Sequence, residues 1–336
     1  MWHDISEYSS GSPWKTEMEL TTLPVFRNGS YDASGAGIPK GMTREEMTEL
    51  LNQISGRLDL KVLDFQEEYS PDYSTEGNPD VLTEIRAVTD YGEITVRADG
   101  AVSYDLPDEG FEIPKEYFAG VQASDEEVRN TIEFLSNQYT KLLGFEEIAP
   151  VSWGEYTFSG EFFRRRFSAY DSSGDDVTDL LNYYFNQTDF LIDFDGRLSG
   201  IRINHGLSLA EKIDDYPIIS VEEAINHLLE GNYQTTVSYE TPEREAIAKI
   251  ELGYRTGPLE ETFLPYYIFY ILLPQDSDVE MADGLNMYGV YYVPAIEGKY
   301  IENMPVFLTY KKELADFGYQ VGKISMKAQT VEFVKE

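Results

Sequence analysis

The chain contains no cysteine. Within these residues a disulfide, a thiolate metal site and a cysteine nucleophile are therefore excluded. Positive charge is scarce: 26 Lys plus Arg stand against 61 Asp plus Glu, for a formal net charge of −35. Nucleic-acid binding needs cations to neutralise phosphates, so this balance argues against it. It argues equally against adsorption to anionic lipid. Histidine occurs only at His3, His205 and His227. No Ser-His-Asp spacing, zinc-protease helix, nucleophile elbow, phosphate-binding loop or dinucleotide fingerprint can be read. No apolar run reaches the roughly 18 residues that a spanning helix needs. Met1-Trp2-His3-Asp4 lacks the charged and apolar regions of a signal peptide. Either the protein stays in the cytoplasm or an export segment precedes this sequence.

What is present is aromatic and repetitive. The 336 residues include 25 Tyr and 18 Phe, which suits strands. The length allows two or three domains at roughly 100–200 residues each. Ser or Thr followed three residues later by Glu marks a helix start, because each side chain can bond the other's backbone amide. This pattern occurs at Thr43-Arg-Glu-Glu46, Ser124-Asp-Glu-Glu127 and Ser220-Val-Glu-Glu223. An apolar stripe at helical spacing follows each one. Met47, Leu50, Leu51, Ile54 and Leu58 form the first stripe, and Val128, Ile132, Leu135, Tyr139 and Leu142 the second. Val221, Ala224, Ile225, Leu228 and Leu229 form the third.

Strand-like runs come next, and acid-Gly pairs follow at Asp99-Gly100, Asp195-Gly196 and Glu297-Gly298. The expected fold is α+β: tandem units, each one helix packed on an antiparallel sheet. The expected divisions are a linker at 1–40 and units at 41–122, 123–216 and 217–305. A tail or added strand at 306–336 follows. It is the least acidic part, with Lys311, Lys312, Lys323, Lys327 and Lys335. Leu23–Phe26 reads as an extended segment able to pair with a sheet edge. Trp2 and Trp14 read as rings tucked against the first unit.

Residues 217–231 (PIISVEEAINHLLEG), followed by IELGY, LPYYIFYI and YYVPAIEGKYI, resemble a PepSY-type unit. The stretch is also similar to ectodomains of YycH/YycI-type regulators of Gram-positive bacteria. The segments TTLPVFRN and MTREEMTELLNQISGRLDL resemble secreted or lipid-anchored proteins of gut Firmicutes. The resemblance implies a non-enzymatic binding or regulatory module on the outer face of the membrane. It implies an envelope protein, peptide or glycan as partner, and no cofactor. It rests on apolar positions and turns, so it transfers no active site.

The candidate sites are local. Arg164-Arg-Arg166 stands out in so acidic a chain. Alternation puts Arg164 and Arg166 on one strand face, where two guanidiniums could fork a carboxylate or phosphate. Ion pairing to a neighbouring strand is the competing reading. Asp171, Asp175 and Asp176 form a dense oxygen cluster, a candidate calcium loop, with a polar hairpin loop between two strands as the plainer reading. Asp72, Ser74, Glu76 and Asp80 form a looser one, with no acid at the twelfth position of the loop. Asp193 and Asp195 are a candidate carboxylate pair, although Asp195 is also wanted by the turn at Gly196. Outward rings of Tyr183-Tyr184, Tyr266-Tyr267 and Tyr291-Tyr292 could form an aromatic patch for peptide or glycan. A hydrolase with paired carboxylates in an aromatic cleft is therefore the alternative function.

Overall fold

The computed structural model describes residues 12–32, 38–70, 80–120, 123–156, 162–235, 237, 242–274, 286–303 and 332–333. The fold is α+β. In chain order the elements begin with β1 (Thr22–Asn28), α1 (Arg44–Arg57), β2 (Val62–Ser70), β3 (Val81–Thr89), β4 (Glu93–Arg97), β5 (Val102–Asp105) and β6 (Phe111–Glu112). Next come α2 (Asp125–Gln138), α3 (Thr140–Leu143), β7 (Ile148–Tyr156), β8 (Phe162–Asp171), α4 (Asp176–Phe185), β9 (Thr188–Ile192) and β10 (Arg197–Ile203). The last group is β11 (Ala210–Pro217), α5 (Val221–Leu229), β12 (Gln234–Thr235), β13 (Ile247–Tyr254), β14 (Thr262–Phe263), β15 (Pro265–Leu272), β16 (Tyr288–Pro294), β17 (Ile301–Asn303) and β18 (Glu332–Phe333).

All three capping boxes form. Thr43, Ser124 and Ser220 accept from the backbone N–H of Glu46, Glu127 and Glu223, and each glutamate reaches back to its cap residue. The cap residue's backbone N–H, and then its hydroxyl, holds each of these glutamates below its ordinary range. Asp99-Gly100 and Asp195-Gly196 make the expected hairpin turns, each glycine at a positive φ of 86°. Glu297-Gly298 instead opens a short 3-10 turn after β16.

The first two sequence units join into one nine-stranded antiparallel sheet of order β2-β3-β4-β5-β10-β9-β8-β7, with β6 on the β10 side. Each unit contributes a four-stranded meander, and the last strands, β5 and β10, pair with each other. The register separates two faces. Phe65, Ala87, Ile94, Tyr104, Ile201, Phe190 and Phe167 lie opposite one another across seven strands. Helices α1 and α2 cover this row, and Met47, Leu51, Ile54, Val128, Ile132 and Leu135 share one core cluster with it. One residue along each strand runs a polar row, Gln66, Arg86, Thr95, Ser103, Arg202, Asp189 and Ser168. Alternation sends it to the opposite, open face.

The third stretch folds as α5 on a four-stranded sheet of order β12-β16-β15-β13. Ala224, Ile225 and Leu228 of α5 pack with Leu252, Tyr267, Phe269, Tyr291 and Val293. Segment β1 pairs with β11 and β14 in a separate three-stranded sheet. Trp14 packs edge-on against Tyr267 at 6.2 Å, so it seats on the third unit rather than the first. Trp2 lies outside the described residues, as do Val306–Tyr310 and the lysines of the tail.

Leu181–Asn186, whose Tyr and Phe favour a strand, lies in α4 up to its C-cap, Asn186. Asp175 caps this helix, and Val177, Leu180, Leu181 and Tyr184 fall at helical spacing. Helix α4 joins the two sheets. Tyr183 meets Tyr170 of β8 at 5.7 Å, while Leu180 and Phe185 enter the core beneath α5. Tyr184 lies over Gly253 of β13, where an added Cβ would stand 2.0 Å from the ring. Only glycine leaves room for that ring.

Candidate functional site

The sheet is not equally closed along its length. Strand β7 pairs with β8 from Ile148↔Asp171 to Tyr156↔Phe162. On its other side β8 pairs with β9 only at Phe167↔Phe190, Ser168↔Asp189 and Ala169↔Thr188. Both strands run on past this point. The parting forms a cleft of about 500 Å³.

Its walls come from both faces. Phe167, Phe190 and Ile192 line it together with Phe118, Ala119 and Gly120 from the segment before α2. Phe118 is fixed against the hairpin turn, 3.3 Å from where a Cβ of Gly196 would stand. Phe194 projects from the same turn and is 89% exposed. Arg165, Arg166 and Arg202 bring positive charge, against Asp189 and Asp193. Arg165 is almost fully buried and stands 3.8 Å from Asp125, in the first turn of α2. Arg166, on the opposite face, stacks on Trp153 with its guanidinium carbon 4.4 Å from the ring centre. Asp189 receives a hydrogen bond from the Ser168 hydroxyl. Among the described residues neither Arg166 nor Arg202 forms an ion pair. Strand spacing puts their Cα atoms roughly 12 Å apart, within joint reach of one ligand.

The sequence candidates fare unequally. Arg166 lines the cleft, and the side chain of Arg164 lies outside the described residues. Arg202 was missed, although it stands out between Ile201 and Ile203 on a strand whose apolar residues turn inward. Trp153 was missed too; its cross-strand position opposite Arg166 follows only from the register.

At the aspartate cluster, the reading as a hairpin loop between two strands is corrected: the segment leads from β8 into α4. Asp171 is partly buried, which favours its neutral form, but the N–H of Glu147, the Ser173 hydroxyl and the N–H groups of Glu146 and Ser173 outweigh this and hold it below the ordinary range. Asp175 is held low by the backbone N–H of Thr178 as the cap of α4, and Asp176 is in that helix's first turn. These carboxylates serve the backbone, and the segment leads from strand to helix rather than between two strands. Among the described residues no three of His, Asp or Glu gather to hold a metal ion. Of the looser calcium candidate, Asp72, Ser74 and Glu76 lie outside the described residues.

Asp193 and Asp195 flank Phe194 in the turn, where the Asp195 carboxylate lies 3.5 Å from Arg197. Tyr183 and Tyr184 are helical, and Tyr266, Tyr267 and Tyr291 are buried. Carboxylates beside the aromatic residues of the third unit have cations of their own. Glu251 meets Lys249 at 2.6 Å, and Glu260 meets Arg255 at 2.7 Å. Burial raises the Glu260 carboxyl above its ordinary range, and Arg255 opposes the rise.

Among the described residues no helix is long and apolar enough to cross a membrane. Compared with known proteins, the sequence matches no family model and no curated protein.

Proposed function

We propose that this protein is a non-enzymatic binding module of the cell envelope that holds a carboxylate-bearing ligand in the cleft between β8 and β9. One observation carries the reading: two guanidiniums without carboxylate partners among the described residues flank an apolar-walled parting in the sheet. Guanidinium forks suit carboxylates, and the stacked Arg166 holds its fork at little further cost in entropy. The walls take the apolar body of the ligand. A phosphate shares part of this chemistry, but Asp189 and Asp193 in the lining disfavour its higher charge.

The test is an NMR titration of the whole chain with an N-acetylated, C-terminally amidated aspartyl-leucine dipeptide and its asparaginyl counterpart. The aspartyl form shifts resonances of cleft residues, and Arg202→Ala weakens it at least about tenfold. Equal response to both dipeptides, or to neither, would contradict the reading.

The envelope placement draws on the acidity and on the resemblance carried by residues 217–305. Fractionation of the native host is expected to recover the protein with the envelope, open to added protease. Recovery from the cytosol alone would count against it.

A further inference from the structure

We propose that the occupant of the cleft is an extended segment of another protein, which adds as a strand to the edge of β8 that has no ladder partner among the described residues, and alternates apolar with acidic side chains. This rests on the carboxylate reading above and names the kind of molecule that brings the carboxylate.

Backbone accounting leads there first. Along Phe162–Arg166, β8 has ladder partners in β7, apart from Phe163 at a bulge, but none in β9. In an antiparallel ladder alternate N–H and C=O groups point to alternate neighbours. Those aimed at β9 over this stretch have no strand partner among the described residues. A strand edge left free inside a sheet is a template for another strand. Five residues present roughly 17 Å of such edge.

Side-chain chemistry then sets the pattern. A strand laid on β8 turns alternate side chains to the two sheet faces. On the helix side they meet Phe118, Phe167, Phe190 and Ile192, which favour apolar groups, and Arg165, which stands 3.8 Å from Asp125. The rest of the lining mixes Arg166 and Arg202 with Asp189 and Asp193, so a carboxylate is favoured opposite the arginines and disfavoured elsewhere. The chain's charge of −35 opposes a second copy of itself as the occupant. It does not forbid a short acidic segment, because physiological salt screens charges beyond about 8 Å and the arginines are nearer.

The experiment measures fluorescence anisotropy of the whole chain with fluorescein-labelled peptides of about seven residues, a common strand length, alternating Leu and Asp. Two further versions carry backbone N-methyl groups on one or the other alternate set of amides, and a fourth has Lys in place of Asp. The parent is expected to bind. One N-methylated version loses at least tenfold in affinity and the other does not, because only one set of amides faces β8. The Lys version fails to bind. Gly120→Leu, where an added Cβ meets nothing within 4 Å, fills the mouth of the cleft and weakens the parent at least tenfold without lowering Tm. If both N-methylated versions bind as the parent does, strand addition is wrong while the carboxylate reading stands. If parent and aspartyl dipeptide both fail to bind, both fall. Tighter binding of the Lys version would overturn the charge assignment.

Discussion

The two halves of the nine-stranded sheet are built from the same parts and finished differently. In the first, β3 and β4 meet through Asp90-Tyr91-Gly92 and pair over five positions, Glu84↔Arg97 to Val88↔Glu93. In the second, α4 stands in the corresponding connection and β8 and β9 pair over three. The open-face cations follow suit. Arg86 is ringed by Glu84, Glu93 and Glu68 at 3.0, 3.3 and 3.4 Å, and Arg97 meets Asp99 at 2.7 Å. Arg166 and Arg202 face the cleft instead. The first half uses Arg86 and Arg97 to hold itself together, whereas the second, which pairs Arg165 and Arg197, leaves Arg166 and Arg202 out of ion pairs among the described residues. The lesson is that a repeated scaffold can carry a site in the copy whose ladder is left unfinished.

The largest expected effect tests whether the halves are one body. Leu51→Ala in α1 and Leu135→Ala in α2 each remove a fully buried side chain from the shared cluster. Each is expected to cost about 3 kcal/mol. Urea unfolding followed by fluorescence and circular dichroism should lower the stability of both halves together. A second transition that moves with only one variant would split them.

Next in size is the seat of α4. Gly253→Ala forces the Tyr184 ring out of its place, and a loss of about 1–3 kcal/mol is expected in thermal unfolding. No loss would mean that α4 does not depend on that contact. The caps come third and should be equal: Thr43→Ala and Ser124→Ala are each expected to cost about 1 kcal/mol. The cap glutamates are lowered in the folded state, so their contribution is full above the ordinary glutamate range. It is lost as pH falls through and below that range. The difference between wild type and each variant should therefore narrow in acid. Smallest is the cation comparison. Arg86→Ala leaves three glutamates facing one another and should cost up to roughly 1 kcal/mol, whereas Arg202→Ala should change stability by less than about 0.5 kcal/mol. A reversed order in paired melts would break the contrast between the halves.

Much of the scaffold was legible locally. The capping boxes, the stripes and the two acid-Gly hairpins depend on residues within a few positions of each other, and all formed. Helix α4 replaces the second of the two strands expected around Asp171–Asp176: Tyr183, Tyr184 and Phe185 carry strand propensity, while the deciding features are the Asp175 cap and the contact of Tyr184 with distant Gly253. The union of two units through β5 and β10 is a pairing between residues about a hundred apart, which no local pattern encodes. The same holds for the cleft. Arg166 stood out by composition, but an unfinished ladder is a property of two strands at once, and Arg202 gains meaning only when its row is known.

Amide hydrogen exchange on the free protein tests the unfinished ladder most directly. Every other amide along Phe163–Arg166 should exchange much faster than any of those along Glu84–Val88, and the fast set should slow when the Leu–Asp peptide is added. Uniform slow exchange along β8 in the free protein would show the seam closed, and the site would go with it.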